Sequence, residues 1–175
     1  LSNAKVLIPV NPYSDVADIL FYAEQAKAFA RKHGYCYLGQ FEDPNHCIYY
    51  QNILNRELTN FETKIDIYID RVGTGATLKG FGSALREKFP ALEVYTENKD
   101  HLADKSIFLR DFNYKILPFT HEQINKRNFL RNEIIPELLD MFGTGNFEKS
   151  LNNIANALIM KEIFPDKTIF TTIGD

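Results

Sequence analysis

Residues 70–83 read DRVGTGATLKGFGS, and the way the chain enters and leaves this stretch decides the fold. Ahead of it, KIDIYIDRV (residues 64–72) alternates like a β-strand; behind it, ATLKGFGSALREKF (residues 76–89) reads as a helix stopped by Pro90. A strand running through a glycine-rich turn into a helix gathers unpaired backbone N–H groups beside the positive end of a helix dipole. Such a place suits an anion, most often a phosphate. A second reading of the same glycines is that they only let strand and helix pack closely. The dinucleotide fingerprint G-x-G-x-x-G fails, because its third glycine would fall at Leu78, and the nucleoside-triphosphate loop G-x-x-x-x-G-K-[ST] fails as well.

Outward from the turn, strands and helices alternate. KVLIPV is an apolar, β-rich run. A helix capped by Ser14 follows, with Val16, Ile19, Leu20, Ala23, Ala26 and Ala30 on one stripe and Gly34 closing it. YCYLGQF is expected as a second strand, and NHCIYYQNILNRELTNF as a helix turning Ile48, Ile53, Leu54 and Leu58 inward. After the glycine turn come the strands LEVYTEN and YKILPFT. HEQINKRNFLRNEIIPELLDMF is expected as two short helices divided near Pro136, followed by the helix FEKSLNNIANALIMKEIF and the strand KTIFTTIGD. This order predicts an α/β fold, three layers with a mostly parallel sheet.

With 175 residues, 45% of them hydrophobic, the chain can bury its own core. A formal net charge of -3, with acids and bases evenly scattered, supplies no basic stripe for nucleic acid and no polybasic membrane anchor. The apolar runs are far shorter than the ~20 residues that cross a bilayer. Two cysteines, Cys36 and Cys47, in no metal or disulfide pattern, suit a reducing cytoplasm. No metal site is expected, because His46 and Cys47 are neighbours that point apart on a helix. A Cys36–His46 nucleophile pair lacks a third, orienting group. His33, beside Gly34, suits the negative end of its helix. Tyr35, Tyr37, Phe41, Tyr49 and Tyr50 have no basic neighbours and read as packing, not as a base-stacking platform. Asp140, Glu133 and Glu137 read as a solvated face.

VGTGATLKGFGSALREKFPALEVYTEN resembles the G-T-G-G-T segment, helix and V-x-x-V-E-P strand of cysteine synthase, cystathionine β-synthase and their relatives, the fold-type II enzymes that use pyridoxal 5′-phosphate. Upstream, YLGQFEDPNH is similar to the family's Q-F-x-N-P-A-N segment, at a fitting distance. The resemblance runs from about Lys5 to Asp175. It implies that Gly73, Thr74, Gly75, Ala76 and Thr77 hold the cofactor phosphate through backbone N–H groups and threonine hydroxyls. It implies that Gln40 holds the carboxylate of an amino-acid substrate. The implied chemistry is β-elimination and β-replacement on a serine or cysteine derivative, as a lyase or transferase, with a lysine joined to the cofactor as a Schiff base.

Where the chain departs from the family, further expectations follow. The lysine motif P-S-x-S-x-K-D-R and the T-S-G-N-T loop are absent, so no catalytic residue is assigned; Lys79 lies one turn into the helix. The expectation is a C-terminal portion, with residues 1–34 ending the small domain and residues 35–175 forming part of the large, cofactor-binding domain. The missing N-terminal portion then lies upstream or on another chain, and a homodimer covers the exposed apolar surface. Ala76 stands for the fourth residue of G-T-G-G-T, and TEN and FGTGN replace V-E-P and G-x-S-S-G-A. KTIFTTIGD matches the strand leading to the hydroxyl that meets the pyridine nitrogen. Arg71 stands where the family has a small residue close to the cofactor ring. The alternative is a non-catalytic relative that keeps the fold for binding or assembly.

Overall fold

The computed structural model describes residues 16–97, 102–137 and 148–173. The chain divides into two compact units, Leu1–Asp43 and Pro44–Asp175.

In the first unit, α1 (Val16–His33) ends with Arg31, Lys32 and His33 at its negative pole. Gly34 then takes the left-handed conformation at φ 68°, and Tyr35 N–H donates back to the Ala30 carbonyl at 2.8 Å. The His33 ring lies between Phe29 and Tyr35, 4.3 and 5.9 Å from their centroids, which is the structural role expected for it. YCYLGQF, expected as a strand, is irregular over residues 35–39 and enters a turn at Gln40 and Phe41. Gly39, at φ 44°, folds the chain back so that Glu42 and Asp43 both donate to its carbonyl, and a backbone bent in this way has no ladder to join. KVLIPV lies outside the described residues.

The second unit is a parallel sheet between helices. Its strands β1 (Ile67–Ile69), β2 (Glu93–Thr96), β3 (Lys115–Ile116) and β4 (Ile169–Thr171) stand in the order β3-β2-β1-β4, every pair parallel. Central β1 is buried on both faces, so the alternation expected for it is replaced by three buried residues in succession. Tyr68 packs with Leu54 and Leu58 of α2 (Asn45–Leu58) and with Leu78, Ala84 and Leu85 of α3 (Ala76–Lys88). Ile67 and Ile69 pack on the opposite face, with Met160 of α6 (Glu148–Ile163) and the β3–α5 segment Leu117 and Phe119. The three expected layers are present. Within α2 the inward stripe is narrower than expected, because Ile48 is 51% exposed.

Among the described residues, the short helices α4 (Leu102–Lys105) and α5 (His121–Phe129) lie between β2 and α6. Thr120 starts α5 with a capping box, its hydroxyl accepting from Gln123 N–H while the Gln123 side chain accepts from Thr120 N–H. The expected division near Pro136 is not found: α5 runs on through a wide turn over Leu130–Ile134, closed by Ile135 N–H on the Leu130 carbonyl, into helical residues 135–137. Proline lacks a donor and crowds the carbonyl four residues back, and widening the preceding turn relieves that crowding without ending the helix.

Gly80 and Gly82 belong to packing. A Cβ on Gly80 would meet the Cys47 carbonyl oxygen at 2.5 Å and Tyr50 Cβ at 2.7 Å, so this glycine sets how closely α3 approaches α2. A Cβ on Gly82 would meet the Phe112 ring edge at 2.6 Å, a group that can turn aside. Gly80→Ala therefore forces backbone apart and is expected to cost about 1–3 kcal/mol, more than Gly82→Ala. Urea unfolding of the two variants checks this; a Gly80→Ala protein as stable as the parent would show that α2 and α3 are not in this contact.

Candidate functional site

The glycine turn leaves the carboxyl end of β1. Asp70 N–H makes a last ladder bond to the Tyr95 carbonyl at 3.3 Å, Val72 is buried, and Gly73 emerges exposed, with open space where a Cβ would be. Thr74 folds the turn on itself: its hydroxyl accepts from Ala76 N–H at 3.3 Å, and its carbonyl accepts from the Ser106 hydroxyl at 2.6 Å. Gly75 precedes α3 at φ 92°, a left-handed conformation that costs a residue with a Cβ about 1 kcal/mol or more. The space beside it is filled by Ser106 and by Leu109 Cγ, 2.9 Å from where a Cβ would stand. The positive φ falls on Gly75, and Ala76 is the first residue of α3, so alanine is unstrained there. N–H groups of the first helical turn have no partner four residues back; here Ala76 N–H is taken by the Thr74 hydroxyl. This geometry suits an anion.

Beside the turn lies a buried polar cluster absent from the sequence-based expectations. The Asp70 carboxylate is fully buried, yet it accepts from Asn153 Nδ2 at 2.7 Å, the Thr172 hydroxyl at 2.9 Å and Lys149 Nζ at 3.1 Å. Asn153 Nδ2 also lies 3.1 Å from the Thr172 carbonyl and hydroxyl, and Asn153 Oδ1 accepts from Arg71 N–H at 2.8 Å. A carboxylate with this many donors can be buried without neutralising. It pushes the neighbouring, fully buried Tyr68 hydroxyl well above the usual phenol range, although burial is the larger cause. One helical turn further on, Asn156 donates to Glu97 Oε1 at 2.6 Å, and Arg127 reaches the same oxygen at 2.8 Å. Asp70, Glu97 and Thr172 each follow directly on a strand, so α6 lays its polar face across the carboxyl edge of the sheet, where α/β folds bind ligands. The signal in the sequence was Asn152, Asn153 and Asn156 interleaved with the apolar residues Leu151, Ile154, Ala155 and Ala157 of one helix.

Gly73, Thr74, Gly75, Ala76 and Thr77 form this one turn. Gln40 is exposed and belongs to the other unit, directly after the Gly39 bend. Arg71 is half-buried, with its backbone committed to Asn153. Lys79 is half-buried in α3, and Glu133 and Glu137 are exposed, as expected for a solvated face; Asp140 and FGTGN lie outside the described residues. Tyr49 is exposed, and Tyr50 meets Phe81 edge to face at 5.7 Å. Among the described residues no three His, Cys, Asp or Glu side chains gather as a metal site. No helix of the described residues is long and apolar enough to cross a membrane.

Cys47 packs against Ala76 and Phe108, and burial pushes its thiol up, with only a smaller opposing pull from Lys79. Cys36 is exposed. Iodoacetamide at pH 8 is expected to alkylate Cys36 first and Cys47 only as the protein unfolds, read by peptide mass spectrometry. Equal rates would contradict the packing of α2 on the glycine turn. Gly75→Ala is expected to lose about 1–3 kcal/mol in thermal or urea unfolding, and Gly73→Ala close to none. Equal losses at the two positions would contradict the turn as described.

No family model matches the chain. Over 73 residues it is 37% identical to the cysteine synthases of Staphylococcus aureus strains Mu50 and N315; the match takes in 41% of this chain and 24% of those relatives. Among solved structures it is similar to O-ureido-L-serine synthase (TM-score 0.66, 21% identity, 95% of this chain and 55% of that one). It is also similar to the hydrogen sulfide-producing enzyme of Fusobacterium nucleatum (TM-score 0.63, 19% identity, 87% and 51%). A third is the O-acetylserine-dependent cystathionine β-synthase of Helicobacter pylori (TM-score 0.64, 18% identity, 85% and 53%). The chain thus spans about half the length of these structural neighbours. Over most of its length the chain therefore shares the fold of these solved structures, and over 73 residues it is similar in sequence to cysteine synthases.

Proposed function

We propose that this chain supplies the phosphate-holding part of a pyridoxal-phosphate-dependent lyase or synthase acting on a serine or cysteine derivative. The observation that carries the proposal is the turn at residues 73–77: an exposed glycine, a left-handed glycine and the start of a 13-residue helix, fixed from outside by Ser106. The phosphate end of the cofactor fits it. Backbone N–H groups of Gly73, Gly75 and Thr77 and the hydroxyls of Thr74 and Thr77 are the groups that would hold the phosphate, joined by Ala76 N–H once it leaves the Thr74 hydroxyl, and a Cβ at Gly73 would meet only open space. When bound, pyridoxal phosphate supplies an electron sink for charge developing at the substrate's α-carbon. Gln40 would bind the substrate carboxylate.

The amine that bonds the cofactor is assigned to residues outside this sequence, on an N-terminal portion or another chain. Among the described lysines, Lys149 stands at the sheet's carboxyl edge, and there it is ion-paired to Asp70. The protein is placed in a reducing cytoplasm, in keeping with two free cysteines, and as a homodimer. Asp70 and half-buried Arg71 at the mouth of the turn favour a second reading, a non-catalytic relative that binds or assembles.

Fluorescence titration with pyridoxal 5′-phosphate is expected to show saturable binding that inorganic phosphate competes away and that Gly73→Asp weakens by about tenfold or more. Borohydride treatment of the loaded chain should then fix cofactor mass on none of its own lysines. Affinity indifferent to phosphate and to Gly73→Asp would overturn the cup. Reductive labelling of Lys149 or Lys79 would overturn the assignment of the amine.

A further inference from the structure

The turn is gripped at two points, both by side chains distant in sequence. Thr74 is tied to Ser106, while Arg71 N–H, just past the last ladder bond of β1, is taken by a side chain 82 residues away, Asn153 of α6. Between these anchors stand only buried Val72 and exposed Gly73. Asn153 is itself held so that its orientation is unambiguous. Its Nδ2 faces acceptors alone, the Asp70 carboxylate and the carbonyl and hydroxyl of Thr172, which leaves Oδ1 toward Arg71 N–H. The position therefore requires an acceptor and a donor on one short, planar group. Aspartate offers no donor to Asp70, leucine offers neither, and glutamine is a methylene too long for a site buried to 0% exposure.

We propose that Asn153 is a positioning residue for the anion-binding turn: it fixes the direction in which the chain leaves β1, and so the aim of the N–H groups at residues 73–77. Asn153 touches no ligand in this account and acts through Arg71 and Asp70. The inference rests on the phosphate-cup proposal for what the turn binds, and on the hydrogen bonds alone for how the turn is held.

Amide hydrogen exchange and pyridoxal 5′-phosphate titration on the full 175-residue chain, for the parent, Asn153→Ala and Asn153→Asp, test it together. Asn153→Ala is expected to speed exchange at residues 71–77 by about tenfold or more while the interior of α3 stays protected, and to weaken binding by a similar factor. Asn153→Asp sets a second carboxylate against Asp70, so that the two share a proton at low pH and repel as it leaves. The charged and titratable groups facing that point are Asp70 and Tyr68 from the β1 segment and Lys149 from α6, with Glu97 and Arg127 one turn along α6 at Asn156. Its affinity relative to the parent at the same pH should therefore fall as pH rises, a dependence that mere loss of packing would not produce. Should Asn153→Ala fail to fold, Asn153→Asp at low pH carries the same comparison. If the parent binds no pyridoxal phosphate, the cup is wrong, and the exchange data alone decide the role of Asn153. Exchange at residues 71–77 unchanged in a folded Asn153 variant overturns the inference.

Discussion

The hydrogen bond from Asn153 to the buried Asp70 carboxylate, 2.7 Å long, is the contact on which this end of the molecule depends. A buried carboxylate needs donors around it, and here they come from two places in the chain: Asn153 and Lys149 of α6, and Thr172 at the exit of β4. Meeting that demand draws α6 over the carboxyl edge of the sheet and joins the exits of β1 and β4. Through Asn153 and Thr172 the cluster ties the ends of β1 and β4 together beyond their last ladder bonds.

From that anchorage the four glycines after β1 acquire separate purposes. Gly73 and Gly75 shape a turn, one by leaving space above the backbone, the other by adopting a φ that side chains avoid. Gly80 and Gly82 let α3 sit against α2 and Phe112. Close packing therefore accounts for Gly80 and Gly82, and the turn proposed as an anion cradle is the one shaped by Gly73 and Gly75.

How much of this was legible follows from the range of the forces involved. The parallel α/β order, α3 and the positions of β2 and β4 were readable because helix and strand periods, Pro90 and the glycines act over neighbouring residues. The Gly39 bend was missed because the aromatic and apolar residues of YCYLGQF imitate a strand, while a single positive φ undoes it. Alternation in KIDIYIDRV suggested a half-exposed strand, yet helices on both faces bury every residue of β1. The position of the glycine turn was visible. Its two anchors were not, because Ser106 and Asn153 lie 32 and 82 residues from the groups they bind, and no local pattern predicts such a pairing.

The central claim is that residues 73–77 receive the phosphate of pyridoxal phosphate. Two-dimensional NMR of the amide-labelled chain, titrated in parallel with pyridoxal 5′-phosphate and with pyridoxal, tests it most directly. The account predicts shifts concentrated on the amides of Gly73, Thr74, Gly75, Ala76 and Thr77 with the phosphorylated compound, and little change there with pyridoxal. Shifts of equal size with both compounds, or shifts that leave these five amides unmoved, would contradict it.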